Sequence, residues 1–148
     1  MKKLIMVVSL AVIAFTITSF TKNAANKNLK TKLENLKGTY ADTKPYNYGN
    51  AWGKRVFTFN KGKWTLNFIL ALDPDMKMQV FEFRTFGTYI LQEKSSKIAN
   101  TYNALFNEEK KFITLKTSNQ NLIKAFGFAP CNMTVNIERD ISEKGCSI

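Results

Sequence analysis

The chain has 148 residues, with 22 Lys and Arg against 11 Asp and Glu, two Cys and no His. The absence of histidine excludes Ser-His-Asp and Cys-His catalytic sites and imidazole metal ligands, and two cysteines cannot form a four-cysteine zinc or iron–sulfur site. The length suits one domain of ordinary size. We therefore expect a protein that is not an enzyme and holds neither a metal nor another cofactor.

Residues 1–25 have the pattern of a signal peptide. Two lysines lie in the first three residues, and residues 4–20 form a run of 17 residues without a charge. The apolar centre of this run has the length of a signal-peptide hydrophobic region and is shorter than a membrane span of about 20 residues. We predict cleavage near Ala24 or Ala25, or else nearer Ser19, and hence a secreted, periplasmic or cell-envelope protein. The alternative is an uncleaved N-terminal membrane anchor.

The charge balance is strongly basic and remains so after cleavage. Removal of residues 1–25 deletes three lysines and no acid, which lowers the formal net charge from +11 to +8. Such a charge attracts anionic surfaces. The lysines are scattered and no nucleic-acid-binding motif is present, so we predict no nucleic-acid partner. A solvated basic surface is the expectation, and contact with an anionic surface is the alternative.

The spacing of apolar residues changes from helical to alternating at Gly38. Residues 26–37 carry Leu29, Leu33 and Leu36 at helical spacing, which predicts a short helix or linker. Alternation then predicts a β domain over 38–148. The predicted strands are residues 55–59, 64–72, 79–92, 98–106, 112–117 and 134–138, with a late helix at 119–126. Turns are predicted at 60–63, where the first two strands form a hairpin, and at 73–75, and the charged run 108–111 is predicted to be a solvated loop.

Aromatic residues recur in phase on three successive predicted strands. An open sheet must close, accept a helix, dimerise or hold a ligand if it is to cover its apolar face. We predict that these aromatics surround a cavity for an apolar ligand, with Arg55 or Arg84 near its mouth to hold an anionic headgroup; plain core packing is the alternative. The predicted walls are Phe59, Trp64, Phe68, Phe81, Phe83 and Tyr89.

The two cysteines, Cys131 and Cys146, are separated by 14 residues. In an exported chain this spacing predicts a disulfide, and free thiols or bonds to another chain are the alternatives. The remaining acid–base candidates are carboxylates, and most of them lie in turns or beside lysines. We therefore predict no catalytic residue and no metal ligand, the Asp73-x-Asp75 turn included.

Ten short marks occur in a characteristic order along the chain. They are Gly38-Thr39-Tyr40, Lys54 to Phe59, Trp64, Asp73, Phe81-x-Phe83-Arg84, Gly87-Thr88-Tyr89, Leu115, Phe126, Cys131 and Asp140 to Cys146. In this order they resemble the Adenomatosis polyposis coli down-regulated family, in a bacterial single-domain form. The resemblance implies a lipocalin-like, curved antiparallel β-sheet forming a barrel or half-barrel with an apolar cavity. It also implies lipid binding, since animal members are associated with lipid moieties and lipid-modified Wnt morphogens; only the lipid binding carries over to a bacterial chain.

The chain departs from that family at Tyr40, where relatives have Trp, and in lacking two early cysteines. These departures favour a more open half-barrel, or one closed by a second copy in a homodimer. The predicted function is that of an exported binding protein for a lipid or other hydrophobic small molecule. The alternative is an interaction module whose filled aromatic core faces a partner chain or a membrane surface.

Overall fold

A computed structural model describes residues 28–143 and 145 of the chain. The predicted signal peptide, residues 1–25, and Cys146 lie outside the described residues. Within them, no helix has both the length and the apolar composition needed to cross a membrane.

The described residues form short helices and seven strands. The helices are α1, residues 28–34, and α2, Gln120–Ala125, with a 3₁₀ turn at Ala129–Cys131. The strands are β1 Lys37–Ala41, β2 Tyr46–Asn47, β3 Trp52–Asn60, β4 Lys63–Ala71, β5 Gln79–Lys94, β6 Tyr102–Leu115 and β7 Glu138–Asp140.

All seven strands belong to one sheet, with the order β1-β3-β4-β5-β6-β7 and with β2 paired to β3. The pairs β1–β3, β2–β3, β3–β4, β4–β5 and β6–β7 are antiparallel. The predicted all-β, antiparallel fold is therefore confirmed. Closure into a barrel is not, because among the described strands β1 and β7 end the order and do not pair with each other.

The β3–β4 hairpin turns at Lys61 and Gly62. Both residues have positive φ, 49° and 80°, as the central residues of a type I′ turn require. Asn60 accordingly pairs with Lys63. The turn is tied to strand β5, because the Tyr89 N–H donates to the Gly62 carbonyl oxygen at 2.7 Å. The hairpin predicted from the sequence is confirmed.

Strand β6 is continuous where the sequence predicted two strands separated by a loop. The predicted loop at 108–111 is wrong, since these residues lie inside β6. Their charges are matched within the fold: Glu108 accepts a hydrogen bond from Thr85 Oγ1 at 2.6 Å, and Lys110 Nζ lies 2.8 Å from Asp140 Oδ2. Both partners are distant in sequence, so a local charge pattern cannot reveal them.

The side chains of β6 change face between Glu108 and Phe112. Glu108 meets Thr85 on one face of β5, whereas Phe112 stacks on Phe86, which is adjacent to Thr85 in the strand and points to the other face. Residues four apart in a regular strand point the same way. Strand β6 therefore contains a β-bulge between Glu108 and Phe112.

The chain beyond β6 covers one end of the sheet. Asn119 caps α2 by accepting from the N–H groups of Asn121 and Leu122. A buried cluster then joins the end of β6 to α2 and the segment after it; its members are Ile113, Leu115, Ile123 and Phe128. The strand predicted at 134–138 is wrong, because Asn136 has a positive φ of 62° and turns the chain before β7.

The described residues fall into two compact units. The larger comprises residues 36–90 and those from 105 onward, and contains the aromatic side chains discussed below. The smaller contains α1 and residues 91–104, where Ser95 N–H donates to the Thr101 carbonyl oxygen at 2.9 Å in the β5–β6 connection. Within α1, Lys30 and Glu34 form an ion pair.

Gly87 is required by the close approach of β5 and β6. A Cβ atom at residue 87 would lie 1.9 Å from the Asn107 carbonyl oxygen, and a backbone atom cannot swing aside. We expect Gly87→Ala to lower the free energy of unfolding by about 3 kcal/mol, as for a severely overpacked site. The control, Thr88→Ala at the next residue, should change it by less than about 0.5 kcal/mol. Urea denaturation measures both changes. A free energy of unfolding of Gly87→Ala equal to that of the wild-type protein would contradict the β5–β6 register.

Candidate functional site

The strand register brings the predicted ligand-contacting aromatics to one face of the sheet. Phe59 is paired with Trp64, and Phe68 with Phe83. Directly paired residues in antiparallel strands point to the same side. Leu70 pairs with Phe81, and Tyr89 lies two residues beyond Gly87, the partner of Trp64. We call this side of the sheet the aromatic face.

Three of these side chains form one ring cluster near the β3–β4 turn. The ring centroids of Phe59 and Tyr89 are 5.6 Å apart, and Phe106 of β6 lies 5.6 Å from both Trp64 and Tyr89. The Trp64 indole N–H donates to the Thr88 carbonyl oxygen at 3.0 Å. Trp64 and Tyr89 are buried, whereas Phe106 keeps 46% of its surface exposed. We call this the turn cluster.

Phe68 and Phe81 belong to a second ring cluster at the opposite end of the aromatic face. Phe81 lies 5.3 Å from Phe128 and 6.0 Å from Phe126, both contributed by the segment around α2, and 6.1 Å from Phe68. Phe81 also packs against the buried cluster beneath α2. We call this the helix cluster. Its helical side is filled by protein, so Phe81 acts as a core residue.

A short polar interruption lies between the two clusters. Thr85 is paired with Leu66 and is only 2% exposed. Its hydroxyl lies within hydrogen-bond distance of Glu108 Oε1 and of the Lys110 carbonyl oxygen, at 2.6 and 2.9 Å. Burial raises the pKa of Glu108, but hydrogen bonds from Thr85 and Lys111 outweigh it, so that the pKa is lowered and the carboxylate is favoured. Phe83, paired with Phe68, lies beside this interruption and is half-buried.

Arg55 lies in register with Phe68 and forms a two-point ion pair with Asp42. Its Nε is 3.0 Å from Oδ2 and its Nη2 is 3.1 Å from Oδ1, and its backbone N–H also donates to Oδ2. These hydrogen bonds lower the pKa of Asp42 and raise the pKa of Arg55. The positive charge that was predicted to hold an anionic headgroup is therefore matched by a carboxylate of the chain itself.

Arg84 lies on the opposite face of the sheet from the six aromatic residues, because it pairs with Asn67. Its guanidinium carbon is 4.2 Å from the Phe112 ring centroid, and its nitrogens lie 2.8 and 2.7 Å from the two carboxylate oxygens of Glu138. Arg84 thus links strand β5 to strand β7 past the intervening β6.

Cys131 is buried and is not a free thiol. Its predicted partner, Cys146, lies outside the described residues, so the bridge between them stays a prediction. In the described part of the chain, no three Cys, Asp or Glu side chains lie close enough together to hold a metal ion. The Asp73 carboxylate instead accepts hydrogen bonds from the Lys77 and Met78 N–H groups and closes the predicted turn.

Sequence reasoning missed the residues that complete this site from elsewhere in the chain. Asp42 and Glu138 matter because they neutralise the two arginines, and neither shows a local pattern that names its partner. Phe126 and Phe128 form part of the helix cluster. They lie in a short helical segment after the strands, so the strand pattern does not reveal that they join the aromatic face. Alternation of period two locates residues on a strand face, but it carries no information on such segments.

The chain was compared with known protein families and with curated proteins. No family model matches it, and no curated protein is significantly similar to it. The resemblance noted from the sequence therefore stays a prediction.

The Arg84–Glu138 ion pair should make the protein less stable in acid. The hydrogen bonds from Arg84 lower the pKa of Glu138, so the ion pair contributes fully above the ordinary glutamate pKa of about 4.3. That contribution is lost as the pH falls through the lower folded-state pKa. We expect Glu138→Gln to cost about 1 kcal/mol of stability at pH 7 and to flatten the decline of stability below about pH 4.

The measurement is urea denaturation at a series of pH values. Arg84→Met should flatten the same decline, and the double variant Arg84→Met with Glu138→Gln should add little to either single change. If the free energy of unfolding of both single variants falls with pH as steeply as that of the wild-type protein, the two groups are not coupled.

Proposed function

We propose that this chain is an exported, non-catalytic protein that binds an apolar or amphipathic, lipid-like ligand on the aromatic face of its sheet. The observation that carries the proposal is the unequal burial of that face. Trp64 and Tyr89 are buried, whereas Phe59, Phe68 and Phe83 on the same face are only half-buried. Half-buried aromatics in neighbouring strands provide an apolar surface on which an aliphatic chain can lie.

The proposed ligand position is the strip on β3 and β4 between the turn cluster and the helix cluster, which ends at β5 where the polar Thr85–Glu108 interruption begins. Phe59 borders the strip on one side and Phe68, with its partner Phe83, on the other; Phe57 and Leu66 form its floor. Each methylene group buried there contributes about 0.8 kcal/mol before the entropy of binding is subtracted. A fatty-acyl chain therefore reaches micromolar affinity without a buried charge. Trp64, Tyr89 and Phe81 support the strip from within the two clusters.

We include in this proposal that the sheet is a lipocalin-like half-barrel. An open antiparallel sheet whose apolar face remains partly uncovered is the arrangement of a half-barrel that holds a ligand. The resemblance to the Adenomatosis polyposis coli down-regulated family favours the same reading. Export and location in the cell envelope follow from the signal-peptide pattern of residues 1–25.

A second candidate function is an interaction module that packs its aromatic face against a partner chain, a second copy or an anionic membrane surface. Two observations favour it. The rings of the turn cluster contact one another directly, as in a filled core, and Phe106 and Tyr40 remain 46% and 51% exposed at its margin. The net charge of +8 after cleavage would favour an anionic surface.

The test is a displacement titration with a fluorescent fatty acid. We expect the wild-type protein to bind the probe and Phe83→Ala to bind it about tenfold more weakly, since a partly exposed aromatic contact of about 1.4 kcal/mol is removed. Ile90→Ala is the matched control, because Ile90 is an exposed apolar residue of the same strand on the opposite face. It should leave probe affinity unchanged.

The competing function predicts a different pair of results. If the wild-type protein binds no acyl probe, and Phe83→Ala lowers the free energy of unfolding by about 3–5 kcal/mol, then Phe83 belongs to a filled core. In that case the aromatics are core and the ligand-binding proposal fails, which favours the interaction module.

A further inference from the structure

Two tyrosines next to the aromatic face contact each other, and one of them contacts the face, although both are largely exposed. Tyr46 and Tyr48 keep 58% and 52% of their surfaces exposed. Their ring centroids lie 4.9 Å apart with an interplanar angle of 64°, and the Tyr48 ring meets Phe68 edge-on at 6.3 Å. We call Tyr46 and Tyr48 the tyrosine pair.

A glycine inside strand β3 provides the space for this arrangement. A Cβ atom at residue 53 would lie 2.6 Å from Cε2 of Tyr48 and 2.5 Å from Cε2 of Phe68. Glycine weakens a strand interior, so its presence there marks a place where other groups must approach the backbone closely. The absence of a side chain at Gly53 therefore allows the Tyr48 ring to pack against the sheet, while Tyr48 stays 52% exposed.

The turn that carries the pair is also ordered by its own hydrogen bonds. The Tyr48 N–H donates to the Ala51 carbonyl oxygen at 2.8 Å, and the Gly49 N–H donates to Asn47 Oδ1 at 2.6 Å. Strand β2 adds the pairing of Tyr46 with Gly53. Rigid tyrosines surrounded by Asn and Gly offer a large contact area at low entropic cost, which is the composition of many binding loops.

The arginine charge nearest the pair is matched by a carboxylate. Arg55 lies close enough to both tyrosines to interact with them electrostatically, and its guanidinium is already engaged by two oxygens of Asp42. Asn50 follows in the same turn, two residues after Tyr48, and is exposed. The surroundings are therefore aromatic and amide-rich, with the nearby arginine charge matched.

We propose that the Tyr46–Tyr48 pair is a stacking site for an uncharged pyranose ring. The C–H bonds on one face of a pyranose carry partial positive charge and pack against the electron-rich face of an aromatic ring. The sugar hydroxyls accept and donate hydrogen bonds with amide and phenol groups such as those of Asn50 and Tyr46. The sugar belongs either to a free glycan or to the headgroup of a glycolipid. This site adjoins the acyl-binding strip at Phe68, which the Tyr48 ring contacts, but the sugar would stack on the exposed tyrosine rings and not on the strip itself.

The experiment uses saturation-transfer NMR and calorimetric titration with three probes. These are the neutral trimer of β-1,4-linked N-acetylglucosamine, the anionic trimer of galacturonic acid, and octyl β-glucoside below its micelle concentration. We expect millimolar binding of a neutral sugar, with saturation transferred to the ring C–H protons. Tyr46→Ala should weaken it about tenfold, since one stacked ring is removed. Tyr46 is the safer variant, because it is the more exposed of the two.

Tyr40→Ala is the matched control, because Tyr40 is a similarly exposed tyrosine that contacts Phe59 and lies outside the pair. It should leave neutral-sugar binding unchanged. Binding of both neutral probes supports a free glycan as the source, and binding of octyl β-glucoside alone, weakened by Tyr46→Ala, supports a glycolipid headgroup. The inference is overturned if neither neutral probe binds, if Tyr46→Ala has no effect on their binding, or if the anionic trimer binds tenfold more tightly than the neutral one. Octyl β-glucoside binding that is insensitive to Tyr46→Ala but weakened by Phe83→Ala would overturn this inference and leave the acyl-binding proposal intact.

Discussion

The antiparallel register of β3, β4 and β5 is the constraint on which the rest of the structure depends. A two-residue turn at Lys61 and Gly62 sets the β3–β4 register, and the Tyr89 N–H fixes β5 to that turn. Because side chains alternate between faces, a shift of one residue would move every aromatic side chain of a strand to the other side. The aromatic face follows from this register, and so do the positions of Thr85, which Glu108 of β6 meets, and of Gly53, on which the tyrosine pair of β2 and its turn packs.

The two faces of the sheet are organised by different interactions. On the aromatic face, ring–ring contacts form two clusters, and the buried Thr85 hydroxyl separates them. On the opposite face, Arg84 lies over Phe112 and pairs with Glu138, so that β7 is held by charge and ring contacts together. The β-bulge in β6 serves both faces, because it directs Glu108 to the first and Phe112 to the second. Polar groups thus limit where an apolar ligand could lie.

The sequence predicted the features that depend on local alternation and turn chemistry. The hairpin, the long strand β5 and the shared face of Phe59, Phe68 and Phe83 all follow from a period of two. The features that failed depend on contacts between distant residues. The charged run around Glu108 looked like a loop because its partner Thr85 is 23 residues away. Likewise, no local pattern separates a filled ring cluster from an open one, since burial is decided by the segments that pack on it.

The central claim is that an aliphatic chain lies on the aromatic face beside the turn cluster. Trp64 lies in that cluster, and the chain has two tryptophans, so a Trp52→Phe variant leaves Trp64 as the single tryptophan reporter. The most direct measurement is quenching of its fluorescence by fatty acids brominated at successive positions along the chain. The account predicts saturable quenching whose depth depends on the position of the bromines. The brominated fatty acids are used at concentrations that saturate the wild-type acyl probe titration. Trp64 fluorescence that none of them changes would contradict the proposed ligand position.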